Sequence, residues 1–475
     1  MKNAIIGREK ELLLLEKAAY DDKSHFIAVF GRRRIGKTFL IREAYKSRFA
    51  FQHSGLSKGN LSEQLFAFDA SIKDAGGNFE KKSKNWLEAF ELLKDLIRSS
   101  TEKKKIVFID ELSWMDTPRS NLMMALENFW NGWASARDDI VLIVCTSATS
   151  WMLSNIVHNK GGLYNRLTEQ IHLKPFSLKE CEEYVNTAGL SLNRTQIMQY
   201  YMIFGGVPYY WTFLEKGQSL AQNIDRILFS EDAPLKNEFD YLYASIFKNP
   251  TSHLKIIKAL SGKKAGLSRE EIIASTGLSN SGDLTIRLEE LENCGFIRKY
   301  TPFDKKKKGA IYQLIDFFTL FYYHFLSDKP SDEHYWSNLI GQPKINTWTG
   351  LAFEKICISH IPQIKQKLGI SGIHSDVFSW QCKADPDNGI NGSQIDLIIA
   401  RKDQIINMCE IKYSEFEYSI SDKVEKSIRR KITDFYKATK TKSAIHTTLI
   451  TTYGMISNSH SDIVQAVITI SDLFE

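Results

Sequence analysis

Short apolar runs alternate with amphipathic helical patterns through the first third of the chain. The runs are of strand length, and each ends at a turn or at charged residues. They are Phe26–Phe30, Lys105–Ile109 and Ile140–Cys145. Helical patterns between successive runs are typical of crossover connections, so we predict a parallel α/β sheet over residues 1–175.

The pattern changes after this region. Residues 176–248 are helical in pattern and are broken at Gly205–Pro208. Residues 249–326 have the spacing of a small separate domain, and 327–347 are polar and contain prolines, which predicts a linker. A second α/β pattern occupies 348–475. We therefore predict an α/β multidomain chain rather than a single domain.

Residues 249–326 show the pattern of a winged helix. Two helical patterns and a following strand are Leu267–Ile273, Ser281–Cys294 and Gly295–Ile297. Phe303–Lys308 would be the wing tip, and its four consecutive lysines could contact phosphates. The candidate recognition helix, Asp283–Glu292, is more acidic than basic, which favours a packing or regulatory role for that helix.

Composition narrows the class of protein. The 475 residues are 43% hydrophobic and 25% charged, with a net charge of +6, which permits nucleic acid as a partner without requiring it. The longest apolar candidate, Phe317–Leu326, is too short to cross a bilayer, and the first residues lack a signal-peptide core. The six cysteines form no Cys-x-x-Cys pair. We expect a cytoplasmic protein with reduced cysteines and no membrane partner.

A phosphate-binding loop follows the first apolar run. The segment fits the pattern GxxxxGK[ST] and opens a helical pattern, as this motif requires. Its residues are Gly31, Arg32, Arg33, Arg34, Ile35, Gly36, Lys37 and Thr38. Backbone N–H groups of such a loop surround a phosphate chain, the lysine reaches the outer phosphates, and Thr38 offers its hydroxyl to Mg²⁺. ATP with Mg²⁺ is the predicted cofactor.

Polar residues at the ends of later strands complete the nucleotide site. Asp110 directly follows the second run and can hold Mg²⁺, while Glu111 can polarise the attacking water. Ser147 follows the third run, where a hydroxyl could sense phosphate. Arg166 is a candidate charge stabiliser, although a surface arginine or a helix cap explains it equally well.

These residues resemble a STAND/AAA-type P-loop ATPase of the archaeal group. The resemblance rests on Gly7-Arg8-Glu9, on the loop Gly31–Thr38 and on Phe108–Trp114, and it covers about residues 1–315. It implies that 176–248 form a helical lid in which Pro208, within a motif similar to GxP, lies over the nucleotide. It also implies a trailing winged helix and a homo-oligomer that assembles through the nucleotide site.

A second group of charged residues lies on two apolar runs near the C-terminus. Asp396 lies near the start of one predicted strand, and Glu410 and Lys412 lie on the next. The period of two in a strand places Glu410 and Lys412 on one face. Two carboxylates, Asp396 and Glu410, can share a hard divalent ion such as Mg²⁺ or Mn²⁺, and Lys412 could orient the attacking water. A basic helical pattern follows, with eight Lys or Arg in 423–442.

This group resembles the PD-(D/E)XK nuclease core, with Gln-Ile-Asp in place of Pro-Asp. The resemblance implies an additional acid on a preceding helix, at Glu354, and covers about residues 348–475. The complete chain is similar to archaeal-type ATPases with a C-terminal DUF234 nuclease-like domain. The fold class implied is a P-loop ATPase with a helical lid, a winged helix and a restriction-endonuclease-like domain.

Three functions remain open on the sequence. The first is an ATP-regulated, metal-dependent DNA nuclease, with defence against mobile DNA as its setting and DNA bound by the C-terminal domain and the wing. The second is a regulatory or scaffolding ATPase whose C-terminal domain binds nucleic acid or protein without cleaving it. The third, a transcription regulator, is weakened by the acidic recognition helix.

Overall fold

The computed structural model describes residues 5–46, 48–303 and 309–475. The chain divides into two compact units. The first comprises Met1–Pro175 with Ser245–Lys248, and the second comprises Phe176–Ala244 with Asn249–Glu475. Within the described ranges, none of the helices combines the length and the apolar composition that a bilayer crossing requires.

The first unit is built on a five-stranded parallel sheet with the strand order β2-β3-β4-β1-β5. Its strands are β1 (His25–Phe30), β2 (Phe51–Ser54), β3 (Lys105–Asp110), β4 (Ile140–Thr146) and β5 (Glu169–His172). Every residue of β1 and β4 is buried, as expected for central strands that helices cover on both faces. The prediction of a parallel α/β sheet in this region is confirmed.

Helices cover both faces of this sheet. They are α1 (Glu9–Tyr20), α2 (Lys37–Tyr45), α3 (Leu61–Asp74), α4 (Trp86–Ser99), α5 (Leu112–Met115), α6 (Leu122–Gly132) and α7 (Thr149–Met152). Alternate residues of the strands enter two separate apolar cores, so that Phe26 and Ala28 pack on one face while Ile27 and Val29 pack on the other. The two cores fix the carboxyl ends of β1, β3 and β4 at one edge.

The second unit begins with helices. They are α8 (Leu178–Thr187), α9 (Arg194–Phe204), α10 (Pro208–Trp211), α11 (Leu220–Ile224) and α12 (Glu238–Ile246), of which the residues up to Ala244 belong to this unit. Capping boxes begin α8, α9 and α11, where a side chain at the N-cap accepts a backbone N–H three residues later. Gly206 separates α9 from α10, and a Cβ there would lie 1.8 Å from the carbonyl oxygen of Phe176.

A small unit of three helices and three strands follows, and we call it the 251–314 unit. Its elements are α13 (Thr251–Ser261), β6 (Leu267–Ser268), α14 (Arg269–Thr276), α15 (Gly282–Asn293), β7 (Ile297–Tyr300) and β8 (Ile311–Leu314). The strands form an antiparallel sheet in the order β6-β8-β7. The four lysines of the predicted wing tip, 305–308, lie outside the described residues.

The stretch predicted as a linker, 327–347, differs from that prediction. After α16 (Phe317–Phe321) the chain forms α17 (Tyr335–Leu339), and α18 (Pro343–Ser359) begins five residues before Trp348. Trp336 and Leu339 are buried, and the backbone N–H groups of Trp336 and Ser337 donate to the carboxylate of Asp225. Two apolar residues are enough to anchor a short helix here, although the segment is polar in composition.

The C-terminal part carries a mixed sheet with the order β15-β13-β11-β10-β9. Its elements are α19 (Ile361–Lys367), β9 (Ser375–Cys382), β10 (Ser393–Arg401), β11 (Ile405–Lys412), β12 (Tyr418–Ser419), α20 (Asp422–Thr439), β13 (Ala444–Thr451), β14 (Met455–Ile456) and β15 (Ala466–Ile468). β9, β10 and β11 are antiparallel neighbours, whereas α20 connects β11 to its parallel neighbour β13. Both predicted strands of the charged group are therefore present.

Candidate functional site

The phosphate-binding loop has the backbone that its glycines allow. Gly31 has φ +143°, and a Cβ there would lie 2.3 Å from the carbonyl oxygen of Leu173, so only glycine fits against the end of β5. Arg34 and Gly36 also have positive φ, and Gly36 is the N-cap of α2. The loop therefore turns sharply and presents backbone N–H groups at the start of a helix, an arrangement suited to an anion.

The lysine of this loop is held by the loop itself. Lys37 is buried, and its ammonium donates to the carbonyl oxygens of Gly31 at 2.9 Å and Arg32 at 3.0 Å. The Thr38 hydroxyl donates to a carboxylate oxygen of Asp110 at 2.7 Å, which joins the end of β3 to the start of α2. A hydroxyl and a carboxylate in contact are oxygen ligands of the kind Mg²⁺ takes, so these two residues fit that ion.

Glu111 lies in a hydroxyl-lined setting beside Asp110. Its backbone is left-handed at φ 47°, which is uncommon for a residue other than glycine and is typical of functional sites. Ser147 donates both its hydroxyl, at 2.9 Å, and its backbone N–H, at 3.1 Å, to this carboxylate. Thr146, 2.6 Å from Ser113 through their hydroxyls, lies 3.4 Å from the same carboxylate. The end of β4 thus orients the acid that follows β3.

The remaining predicted residues of the nucleotide site differ in position. Arg32 and Ile35 are buried, and Arg33 and Arg34 are half-buried. Arg166 is exposed in a turn after α7, and Pro208 is the first residue of α10 in the second unit. The roles given to Arg166 and Pro208 stay predictions.

The C-terminal group contains two carboxylates that share one cation. Glu354 on α18 and Asp396 on β10 both contact the ammonium of Lys264, at 2.6 Å and 3.3 Å. The Glu354 side chain is 11% exposed and that of Asp396 is 25% exposed. Burial and the neighbouring Asp396 raise the pKa of Glu354 above its ordinary value. Lys264, from the loop between α13 and β6, was not among the residues predicted from the sequence.

Glu410 and Lys412, which were predicted to share one face of a strand, form an ion pair. The Lys412 ammonium lies 2.8 Å from Glu410, and Lys431 of α20 contacts the other carboxylate oxygen at 2.7 Å. Burial alone would raise the pKa of Glu410, but Lys431 and Lys412 hold it below its ordinary value. Lys431 belongs to the basic helical pattern, although its contact with Glu410 was not predicted.

The strand register brings the two pairs of charges together. Leu397 of β10 is paired with Cys409 of β11, and Asp396 and Glu410 are the residues next to this pair on their two strands. Burial alone would lower the pKa of Lys412, but Glu410 and Asp396 raise it, which is consistent with that proximity.

The acids of this group fit a divalent ion in pairs rather than as a preformed cluster. Among the residues that the structure describes, no three His, Cys, Asp or Glu side chains converge as a metal site. The pair Glu354 and Asp396 binds the ammonium of Lys264 through carboxylate oxygens, which are the ligand type that Mg²⁺ and Mn²⁺ take.

A fully buried lysine lies beneath these acids. Lys355 is 3% exposed, and its ammonium is 3.4 Å from the carbonyl oxygen of Lys264. Burial, together with the nearby Arg298, lowers the pKa of Lys355, while Glu354 and Asp396 oppose this shift. The burial of Lys355 near these acids could not be predicted from its place after Glu354, because neighbouring residues of a helix usually face different directions.

Comparisons with known proteins match the N-terminal part to a family model and most of the chain to one relative of low identity. Residues 5–213 match the family described as an ATPase domain predominantly from Archaea. The chain is similar to an uncharacterized protein of Methanocaldococcus jannaschii, with 25% identity over 440 residues that cover 90% of this chain and 91% of that one.

Three solved structures are similar to this chain at low identity. A Walker-type ATPase of Pyrococcus abyssi is 17% identical, with a TM-score of 0.48, over 67% of this chain and 96% of that one. The ORC2 protein of Aeropyrum pernix is 14% identical, with a TM-score of 0.39, over 66% and 92%. A RuvB mutant of Thermotoga maritima is 14% identical, with a TM-score of 0.33, over 65% and 93%. Residues 5–213 are thus similar to that ATPase family, and together with the geometry of the loop this similarity supports a P-loop ATPase in the N-terminal part of this chain.

Proposed function

We propose that this protein binds and hydrolyses ATP in its N-terminal domain and cleaves DNA at a metal-dependent site in its C-terminal α/β region. The observation that carries the second half is the shared cation position of Glu354 and Asp396 beside the pair Glu410–Lys412. Buried carboxylates that converge on one position are costly unless a cation binds there, which is why such arrangements are typical of functional sites.

The roles in the nucleotide site follow from its contacts. The N–H groups of the loop would bind the phosphate chain, and Lys37 would exchange its carbonyl partners for the outer phosphates. Thr38 and Asp110 would hold Mg²⁺, which when bound neutralises charge on the phosphates. Glu111 would accept the proton of the attacking water, and Ser147 would orient its carboxylate.

The topology around the C-terminal acids supports the nuclease half. A helix (α18) precedes three antiparallel strands (β9, β10 and β11), and α20 then crosses to the parallel strand β13. The helix with Glu354, the strand with Asp396 and the next strand with Glu410 and Lys412 follow one another as the resemblance to the PD-(D/E)XK core implies. Glu354 of the helix and Asp396 of β10 contact one ammonium, and Glu410 lies on the strand next to β10, which supports a cleavage site for a phosphodiester at these acids.

Each side chain of the proposed cleavage site would have its own role. Asp396, Glu410 and Glu354 would hold a divalent cation, which when bound neutralises the scissile phosphate and makes its water more acidic. Lys412 would donate to the attacking water or to the phosphate. The remaining basic residues of α20 would bind the DNA backbone, since most protein–DNA hydrogen bonds go to phosphate and sugar.

A second candidate function is a regulatory ATPase whose C-terminal region binds DNA or protein without cleaving it. The observation that favours it is that the acids of the C-terminal group are all paired with lysines. Both oxygens of Glu410 are paired with lysines, and Glu354 and Asp396 are paired with Lys264. A site whose charges are satisfied internally can serve a structural purpose.

A plasmid-cleavage assay tests the proposal on the full chain. Supercoiled DNA is incubated with the protein and Mg²⁺ or Mn²⁺, with and without ATP, for wild type, Asp396→Asn and Glu410→Gln. Asp376→Asn is the matched control, because Asp376 lies on β9 of the same sheet with its side chain 66% exposed. We expect nicking by the wild type and by Asp376→Asn, and none by the other two variants.

The outcomes separate the two candidates. Equal nicking by wild type and Asp396→Asn would assign the activity to a contaminant and remove the nuclease half. Absence of nicking under every condition, with ATP hydrolysis intact, would favour the regulatory ATPase.

A further inference from the structure

The ammonium of Lys264 occupies the position where Glu354 and Asp396 converge. Lys264 comes from the loop between α13 and β6, whereas the two acids come from α18 and β10. The distances of 2.6 Å and 3.3 Å place one cation between carboxylates that are far apart in sequence. The Lys264 side chain is 44% exposed, so it reaches the acids from the solvent side rather than from within the core.

The loop that carries Lys264 is itself fixed at this place. The Lys264 carbonyl oxygen accepts from the Gln313 amide at 2.6 Å and from the Lys355 ammonium at 3.4 Å. The next carbonyl, that of Ala265, accepts from the Tyr300 hydroxyl at 2.8 Å. These hydrogen bonds fix the backbone at Lys264 and Ala265. The Lys264 ammonium therefore contacts the acids at a lower cost in conformational entropy than it would from a mobile loop.

Further contacts join the 251–314 unit to the sheet that bears Asp396. Arg298 donates to the Ser379 hydroxyl at 3.0 Å, and Ser379 donates to the backbone oxygen of Asp396 at 2.6 Å. Phe303 packs against Phe378 and Phe435, each with ring centroids 5.3 Å apart. The loop with Lys264 is thus one part of a surface that covers the acidic end of β10.

We propose that this surface is an autoinhibitory cover and that the Lys264 ammonium occupies the position of the metal ion. The inference rests on the proposed metal-dependent function of the site. An ammonium and a divalent ion compete for the same carboxylate oxygens, so metal binds only when Lys264 has left. The 251–314 unit therefore regulates cleavage by moving away from the C-terminal sheet, and the apparent metal affinity is reduced by the fraction of molecules that are open.

The test is the affinity of the full chain for Mn²⁺, measured by calorimetry. Lys264→Met keeps the length of the side chain and removes its charge, whereas Lys264→Arg keeps the charge. Lys263→Met is the matched control, since Lys263 is the neighbouring exposed lysine of the same loop. We expect Lys264→Met to bind Mn²⁺ about tenfold more tightly than the wild type and to nick DNA faster, as release of a closed state requires. Lys264→Arg and Lys263→Met should bind like the wild type.

Each other result has a definite meaning. Equal or weaker Mn²⁺ binding by Lys264→Met, with clear binding by the wild type, overturns the autoinhibitory cover and leaves the proposed nuclease standing. Tighter binding with slower cleavage would make Lys264 part of the cleavage chemistry, which also overturns it. If neither the wild type nor Lys264→Met binds Mn²⁺, the proposed metal-dependent function fails, and the inference fails with it.

Discussion

The nucleotide site and the C-terminal site each contain a lysine whose ammonium binds two oxygen atoms. These oxygens are backbone carbonyls in the first site and carboxylates in the second. Lys37 donates to two carbonyl oxygens of its own loop, within six residues. Lys264 binds acids that lie 90 and 132 positions further along the chain. Carbonyl oxygens are neutral and give up a lysine readily to phosphate, whereas two carboxylates hold it by charge. On the proposals above, the first site can accept its ligand directly, whereas the second binds metal only after Lys264 has left the two acids.

This difference concerns how each site is assembled. The nucleotide site depends on a short motif and on neighbouring strand ends, so its local backbone determines most of its geometry. The C-terminal site depends on four separate elements, α18, β10, β11 and the loop before β6, and therefore on how those elements pack. Substitutions in the first site should act locally, whereas those in the second should also report on the position of the 251–314 unit.

The largest effect is expected from Lys37→Met. Loss of the ammonium removes the charge that would bind the outer phosphates, so ATP hydrolysis should fall by at least about a thousandfold. The rate of phosphate release measures the loss of hydrolysis, and the affinity for nucleotide measures the loss of binding. Mn²⁺ affinity of the C-terminal site without ATP should stay at the wild-type value, since Lys37 contacts only carbonyl oxygens of its own loop. Hydrolysis at the wild-type rate would remove Lys37 from the site.

Glu111→Gln should separate binding from turnover in the same site. We expect ATP to bind with near wild-type affinity, because Thr38 and Asp110 are unchanged, while turnover falls by about 10²–10⁴-fold through loss of the base. Ser147→Ala should give a smaller loss of kcat, since it removes one of the donors that orient Glu111. A Glu111→Gln protein with normal turnover would show that another group activates the water.

Lys412→Met should separate metal binding from DNA cleavage at the C-terminal site. Lysine gives a metal no lone pair while it is charged, so Mn²⁺ binding should persist while DNA cleavage falls by about a hundredfold. Calorimetry and nicking rates are measured on the same preparation. Loss of Mn²⁺ binding in this variant would mean that Lys412 acts by orienting Glu410 rather than by acting on the substrate.

The smallest effect concerns Lys431 and the pKa of Glu410. Lys431 and Lys412 lower the pKa of Glu410, so the stability contributed by its carboxylate is present above the unfolded pKa of about 4.3 and is lost as the pH falls through the lower folded pKa. Lys431→Met should therefore destabilise the protein by about 2 kcal/mol near pH 7, and the difference should shrink below about pH 4.

Urea unfolding across this pH range measures the effect. Lys426→Met is the control, since Lys426 lies on the same helix and pairs with the exposed Asp422. A loss of stability that does not change with pH would assign the role of Lys431 to packing rather than to its charge.

Much of the first unit could be predicted from the sequence because its signals are local. Phe26–Phe30 and Ile140–Cys145 are strands in the structure, and the Gly36-Lys37-Thr38 sequence begins a helix, since the residues that determine each element are contiguous. The position of Glu410 and Lys412 on one face of β11 also follows from the strand period alone. Such features need no knowledge of how distant segments pack.

Other features depended on distant packing and could not be predicted. Lys264 lies in the polar loop Gly262–Gly266, and nothing in that loop indicates acids 90 or more residues away. The helix Tyr335–Leu339 was predicted as a linker because its stretch is polar, yet Trp336 finds a buried position and Asp225 accepts its N–H. In both cases the partner, rather than the segment itself, determines the structure.

The packing of Phe303 has a consequence for fragments of this protein. A C-terminal fragment that begins at Pro343 would lack the ring that packs on Phe378 and Phe435, and both would gain solvent-exposed apolar surface. The same fragment would lack Lys264, so its acids would meet divalent ions unopposed. Isolated, this region would aggregate more readily and bind metal more tightly than it does within the full chain, and an activity measured on it would overstate that of the full-length protein.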